Sequence, residues 1–176
     1  MKKLAKYINE WKYDNDKNVS YKPHEIYKRK VKDQDELDRT LNAMLRVEIG
    51  PGTKDKPADL NDIDISAMDN LSEIFFDSEF EYIDISNWDV TNVVNVSRMF
   101  YRSKLKSINM SNWNLKKFEW GMSGSQVFDN CKNLKVVDLS NIKETEPNWN
   151  FISTITDNYK RSKIKFIEPK WVEEYR

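Results

Sequence analysis

The sequence contains one cysteine, Cys131, and one histidine, His24, among 176 residues. One cysteine excludes an internal disulfide framework, and the pair cannot supply the four ligands of a structural zinc site. His24 has no cluster of catalytic partners around it in the sequence, which favours a solvated loop residue over a general base. Cys131 is expected to face the core, where a thiol is usually inert. We therefore expect no metal, no cofactor and no enzymatic activity.

Long apolar runs are also missing. No stretch of about 18 apolar residues is present, which argues against a membrane-spanning helix, and the first residues lack the apolar region of a secretory signal. The 29 basic and 29 acidic residues leave no net charge, and the 18 asparagines against 4 alanines are typical of an AT-rich bacterial or phage genome. We expect a cytoplasmic protein, in a bacterial cell or a phage-infected host, that contacts neither membrane nor nucleic acid directly.

The neutral total hides a separation of charge along the chain. Residues 58–100 contain ten acidic residues and one basic residue, Arg98, whereas residues 1–57 and 101–176 are both mildly basic. Charge asymmetry of this kind bears on the choice of partner. The acidic centre favours a partner protein with a basic surface.

Residues 1–57 show no internal repeat and contain one strong helix signal. Asp33 and Glu36 have the spacing of a capping box, in which the first side chain accepts a backbone N–H of the first helical turn. Leucines then recur at every fourth position to form an apolar stripe, and a Gly-Pro-Gly run from Gly50 ends the helix. Because the first repeat of a stack needs a cover, we predict a helical cap at 1–57 and a repeat solenoid with a C-terminal edge cap at 58–176.

Five segments share a pattern of an apolar residue, two others, an apolar residue, any residue and a further apolar residue. They are residues 60–65, 80–85, 105–110, 134–139 and 164–169. Their starting points are 20, 25, 29 and 30 residues apart, at or just beyond the period of leucine-rich repeats. The alternating part predicts a short strand with two side chains inward and one outward.

Further elements recur behind these strands. Residues 70–76 align without a gap on residues 95–101, and residues 125–129 form a third copy. Their apolar positions predict a single helical turn that packs its aromatic side chain inward. A tryptophan preceded by asparagine also recurs, at Trp88, Trp113 and Trp149. We expect these tryptophans in the core or stacked between repeats.

The run Ile-Asp-Ile-Ser-Asn-Trp-Asp-Val at residues 83–90, continued through residue 100, resembles the BspA-type leucine-rich repeat of bacterial proteins. Residues 127–140 are similar to the second half of the same unit. The resemblance covers residues 60–140 and implies a solenoid that binds other proteins and carries no catalytic residue. The predicted fold is a short α/β solenoid of parallel strands, like a leucine-rich repeat, with a helical N-terminal cap.

The outward strand positions are candidates for a binding site. Stacking would align them on one face, and they are Asp64, Asp84, Asn109 and Asp138. Two interpretations remain open, namely solvated positions that keep the sheet soluble or an acidic binding face. Glu81 belongs to the same acidic region. Trp120 is out of phase with the other tryptophans, which favours a surface hot spot.

These features predict a non-enzymatic module that acts through protein–protein contacts. The alternative is a phage or mobile-element inhibitor of a host nucleic-acid-binding or defence protein. Its acidic face would compete with nucleic acid for a basic groove, so its binding would weaken steeply with salt. A toxin-neutralising immunity partner cannot be separated from this alternative by sequence.

Overall fold

The structure is a computed structural model that describes residues 29–119, 124–159 and 162–175. Its strands are β1 (Arg29–Lys30), β2 (Ala58–Asp59), β3 (Ile63–Asp64), β4 (Tyr82–Asp84), β5 (Ser107–Asn109), β6 (Val136–Asp138) and β7 (Lys165–Ile167). Its helices are α1 (Gln34–Ala43), which continues into a π-helical turn at Met44–Glu48, α2 (Glu146–Tyr159) and a 3-10 helix at Lys170–Tyr175. The architecture is mixed α/β with parallel strands.

The larger sheet is parallel and has the strand order β2-β4-β5-β6-β7. Ile83, Ile108 and Val137 lie opposite one another across β4, β5 and β6, and all three are buried. Their sequence neighbours Asp84 and Asn109 are half-buried on the other side of the sheet, because successive side chains of a strand point to opposite faces. The predicted strands of the three central segments are therefore confirmed.

The first predicted strand, within residues 60–65, is β3, and it does not join the larger sheet, whose first strand is β2. β2 pairs with β4, so that Asp59 lies opposite Asp84. Asp64 belongs to β3, which pairs with β1 instead. The predicted place of Asp64 beside Asp84 is therefore wrong. Both β2 and β3 consist of an apolar residue followed by aspartate, so the local pattern does not distinguish them, and only the contact with β4 does.

The last predicted strand is one residue out of phase. Phe166, and not Ile167, pairs with Val137, and the centroid of its ring lies 6.4 Å from that of Phe128. Ile167 instead lies on the outward side and is 37% exposed. Both residues fit an apolar position in the sequence pattern. The phenylalanine takes the inward position because its larger apolar surface gains more from burial.

The segments that follow the strands pack aromatic rings inward, as predicted, but they do not form helical turns. Phe75, Phe100 and Phe128 are buried, and the centroids of successive rings are 5.0 and 5.4 Å apart. We call residues 70–77, 95–102 and 125–130 the turn segments. In each of them two residues adopt the left-handed conformation, and these are Glu73, Asp77, Arg98, Arg102, Gln126 and Asn130.

The left-handed residues turn backbone N–H groups toward the neighbouring turn segment. The N–H of Phe75 donates to the carbonyl of Met99, and the N–H of Phe100 donates to that of Val127, both at 2.9 Å. In a helical turn these groups would bond along the same segment instead. The turn segments are therefore joined to one another much as the strands are.

Helix α1 begins at Asp33, as predicted. The Asp33 carboxylate accepts the N–H of Glu36 at 2.8 Å, and two leucines of the apolar stripe are buried in the core. The side-chain amide of Gln34 donates to the carbonyls of Asn70, at 3.4 Å, and Ser72, at 3.0 Å. These carbonyls belong to the first turn segment, and no earlier turn segment supplies donors to it within residues 29–119. Helix α1 thus covers this end of the turn segments.

Helix α2 covers the opposite end through Tyr159. The Tyr159 hydroxyl accepts the N–H of Phe128 at 2.9 Å and donates to a carboxylate oxygen of Asp129 at 2.6 Å. Burial, together with the hydrogen bond to Asp129, raises the pKa of this hydroxyl well above its ordinary value. The hydroxyl therefore stays protonated and keeps both bonds.

The three recurring tryptophans, which were expected to be equivalent, occupy different environments. Trp88 and Trp113 are buried, as expected, and their indole N–H groups donate to the carbonyls of Leu60 and Ile85 at 2.9 Å. Trp149 is half-buried within α2, so its predicted equivalence to the other two is wrong. It follows Trp113 by 36 residues, whereas Trp113 follows Trp88 by 25, and the longer interval admits a helix.

Replacing Tyr159 by phenylalanine keeps the ring and removes the hydroxyl. We expect the free energy of unfolding to fall by about 1–3 kcal/mol, because the N–H of Phe128 loses its acceptor. Urea denaturation followed by circular dichroism measures the change. The control is Tyr82→Phe on the outward side of β4, which should change stability by less than about 0.5 kcal/mol. Equal losses in both variants would contradict the bridging role of the Tyr159 hydroxyl.

Candidate binding surface

The outward strand positions form one polar column across the larger sheet, which consists of Asp59, Asp84, Asn109 and Asp138. In each residue a side-chain oxygen accepts the backbone N–H two residues further along the chain, at 2.9–3.1 Å. This bond makes an Asx turn at the end of the strand. Asp64 makes the same bond, to Ser66, at the end of β3. The four candidates at outward strand positions therefore form Asx turns, and in each of them one side-chain oxygen accepts a backbone N–H of the same turn.

Asp84 accepts hydrogen bonds from several neighbours within this polar column. Burial raises the pKa of its carboxyl, but hydrogen bonds from Ser86 and from the side chains of Asn61 and Asn109 outweigh that effect, and the pKa lies below its usual value. The carboxylate is therefore charged at neutral pH. Its contribution to stability is present above the unfolded-state pKa and is lost as the pH falls through the lower folded-state pKa.

The acidic charges of residues 58–100 are partly compensated by stacking. Four of these acids pair with a basic residue that follows 25 positions later, and a fifth, Asp62, pairs with Arg29 at 3.0 Å. The four pairs are Glu73–Arg98 (2.7 Å), Asp77–Arg102 (3.8 Å), Glu79–Lys104 (2.6 Å) and Glu81–Lys106 (2.6 Å). The charge separation in the sequence thus becomes local neutralisation in the fold. Glu81, a predicted binding residue, is held by one of these pairs.

Two aromatic rings lie on the surface of the turn segments beneath an arginine. The rings of Phe76 and Tyr101 are nearly parallel, at 9°, with centroids 5.5 Å apart. The Arg98 guanidinium lies 4.7 Å from the Tyr101 centroid and 5.5 Å from that of Phe76, within the range of a cation–π contact. It also forms the ion pair with Glu73 described above. We call Phe76, Arg98 and Tyr101 the aromatic platform.

The residues of the aromatic platform were not among the binding residues predicted from the sequence, although the sequence does contain a sign of them. The gap-free alignment of residues 70–76 on 95–101 places Phe76 opposite Tyr101. The same alignment contains Phe75 and Phe100, whose inward packing accounts for an aromatic residue at this point. Only the structure separates the buried ring of the first two turn segments from the more accessible ring that follows it, which is Phe76 in the first and Tyr101 in the second.

The remaining candidates fall into two groups. Trp120 and His24 lie outside the described residues, and their predicted roles stay predictions. Cys131 is buried, as expected, and its thiol donates to the carbonyl of Phe100 at 2.7 Å. Burial raises the pKa of this thiol, which keeps it in the unreactive protonated form.

The parallel sheet, the joined turn segments and the exposed platform define a mixed α/β protein whose distinctive surface lies on its turn segments. A model of the family described as "Mycoplasma protein of unknown function, DUF285" matches residues 51–142. The match covers just over half of the chain and includes strands β2 to β6, and the protein belongs to this family. No curated protein and no solved structure matches the chain. Within the described ranges, no helix is both long enough and apolar enough to cross a membrane.

Proposed function

We propose that this protein is a non-enzymatic protein-binding module that acts in the cytoplasm of a bacterial cell or a phage-infected host. Its architecture is proposed to be a short solenoid of the BspA leucine-rich-repeat type, closed by a helical N-terminal cap. The in-register parallel strands and the stacked rings of Phe75, Phe100 and Phe128 support a solenoid. The aromatic platform is the observation that carries the proposed binding function.

The platform has the chemistry of a protein–protein hot spot. Interfaces are enriched in aromatic residues and arginine, and a few such residues supply most of the binding free energy. Phe76 is 39% exposed and the Arg98 side chain 40% exposed, so a partner that covers them removes apolar and planar surface from water.

The platform is also ordered before any partner binds. Glu73 holds the Arg98 guanidinium at 2.7 Å, and the stacked rings of Phe76 and Tyr101 restrict each other. Side chains that are already fixed lose little conformational entropy on binding. Pre-organisation therefore favours a binding role over an accidental exposure of apolar surface.

The inhibitor alternative depends on an acidic face, and its support now comes from the polar column alone. Asp59, Asp84 and Asp138 keep a second carboxylate oxygen that is not part of the Asx turn. Five other acids of the same region are paired with bases, and pairing weakens the field that would attract a basic groove. The aromatic platform is therefore the better-supported surface.

The test compares the protein with its Tyr101→Ala variant as baits in lysate of the host cell. We expect at least one captured protein to bind the Tyr101→Ala variant about thirtyfold more weakly, because a hot-spot side chain contributes about 2 kcal/mol. Quantitative mass spectrometry identifies the protein, and titration with the purified partner gives the affinities.

The control bait is Val47→Ala, which removes a side chain that is 59% exposed on the π-helical turn after α1. This variant should retain the partner at unchanged affinity. A partner bound equally by all three baits would place the interface elsewhere, and the platform would not be the binding surface. Circular dichroism of each bait establishes that the fold is retained.

A further inference from the structure

Among the described residues, strand β7 is the last strand of the larger sheet, and no strand pairs with its outer edge. It pairs with β6 on one side and is the last strand in the sheet order. The N–H of Lys165 and the carbonyl of Ile167 bond toward β6, to Lys135 and Leu139, both at 2.8 Å. Because alternate residues of a parallel strand bond to opposite neighbours, the N–H and carbonyl of Phe166 face the open edge.

The apolar column behind this edge is also incompletely covered. Ile83, Ile108 and Val137 are at most 2% exposed, whereas Phe166, the next residue of the same column, is half-buried. A further strand beside β7 would satisfy the backbone groups of Phe166 and cover its ring. An edge of this kind is a template for strand addition.

Three lysines stand around the edge, and one acidic residue, Glu168, directly follows the strand. Lys135, Lys163 and Lys165 are exposed, and none of them forms an ion pair with a carboxylate in the part of the chain that the structure describes. Lys104 and Lys106, which stand earlier on the same side of the sheet, are each 2.6 Å from a glutamate of the preceding strand region. The pairing of a lysine with a glutamate of the preceding strand region therefore does not continue to β7.

We infer that the open edge of β7 binds an extended acidic segment of a partner protein as an added strand. The pairing of Glu81 with Lys106 demonstrates that a carboxylate directly before one strand reaches a lysine directly before the next. An apolar residue of the added segment would cover Phe166, and acidic residues at the added-strand positions opposite Lys163 and Lys165 would meet those two lysines. This edge is separate from the aromatic platform, and the inference goes beyond the proposed function.

A second copy of the chain fits this edge less well than an acidic segment does. A parallel, in-register pair of β7 strands would bring the lysines of both copies together, and like charges on neighbouring strands are destabilising. An acidic strand has the opposite effect. Charge complementarity therefore favours an acidic segment of a partner protein over a second copy of this chain.

The experiment uses the full chain and three fluorescent peptides of about eight residues, the length of an ordinary strand. The first alternates glutamate with valine, the second alternates glutamine with valine, and the third is the glutamate peptide with a central proline. Fluorescence anisotropy measures their affinities. We expect the glutamate peptide to bind about tenfold or more tightly than either of the others, because glutamine removes the charge and proline removes a strand donor.

Two charge-reversed variants locate the site. Lys163→Glu with Lys165→Glu should weaken binding of the glutamate peptide about tenfold or more. Lys54→Glu with Lys56→Glu, an equal charge change on another exposed segment, should alter it by less than about twofold. Tyr101→Ala should leave it unchanged, so the outcome is independent of the aromatic platform.

Hydrogen exchange should show the amide of Phe166 protected in the complex. Equal binding of the proline peptide, an unchanged affinity after reversal of Lys163 and Lys165, or an unprotected Phe166 amide would each overturn strand addition at this edge. Self-association of the chain that is abolished by the same two substitutions would also overturn it, because the occupant would then be a second copy.

Discussion

Replacing Gly52 by alanine is expected to lower the free energy of unfolding by about 3 kcal/mol or more. Gly52 has a φ of +78°, and an added Cβ would meet two backbone atoms, the carbonyl oxygen of Tyr82 and the amide nitrogen of Ala58. Backbone atoms of β2 and β4 cannot rotate away as a flexible side chain does. The substitution would therefore push apart the first two strands of the larger sheet, and urea denaturation measures the loss.

Gly50 provides a matched control two residues earlier. It also has a positive φ, +69°, but an added Cβ would have no heavy atom within 4 Å. Gly50→Ala should therefore cost only the left-handed backbone strain, about 1–2 kcal/mol. If both alanine variants lost the same stability, the close approach of Gly52 to Tyr82 would contribute nothing.

Replacing Phe100 by alanine is expected to lower the free energy of unfolding by about 3–5 kcal/mol. The ring is fully buried between those of Phe75 and Phe128, at centroid distances of 5.0 and 5.4 Å. Its removal would leave a cavity that rigid neighbouring turn segments cannot close. Thermal and urea unfolding should both register the loss.

The control for Phe100→Ala is Phe76→Ala in the preceding turn segment. Phe76 is 39% exposed, and its removal should cost about 1 kcal/mol or less, because little apolar surface returns to water. The two variants should separate two roles, since Phe100→Ala reduces stability while Phe76→Ala reduces partner binding. A larger stability loss from Phe76→Ala would contradict the assignment of Phe76 to the surface.

Several features were predictable from sequence because local chemistry determines them. Asp33 caps α1 because an aspartate before a leucine stripe accepts the free N–H groups of the first turn, wherever the helix packs. The strands at residues 83, 108 and 137 follow from the alternation of apolar and polar residues. The inward position of Phe100 follows from its place in a recurring apolar pattern. None of these inferences requires knowledge of which segment lies beside which.

Other features were decided by the neighbour that each segment meets. Asp59 and Asp64 occupy equivalent local patterns, and only the pairing of β2 with β4 places Asp59 in the polar column. The acid-rich stretch of the sequence favoured a partner with a basic surface, but stacking brings Arg98, Lys104 and Lys106 against acids 25 residues earlier. Opposite charges that are distant in sequence become close in space, and composition alone cannot predict these ion pairs.

The sequence by itself determined the parallel strands, the capped helix α1 and the inward aromatic residues, since each arises from periodic burial or a local hydrogen bond. Only the tertiary structure decided the aromatic platform and the open edge of β7. The platform requires Phe76, Arg98 and Tyr101 from two turn segments to meet. The edge arises because β7 has a neighbouring strand on one side only among the described residues. Both depend on stacking between segments, and interactions between residues distant in the chain set that stacking.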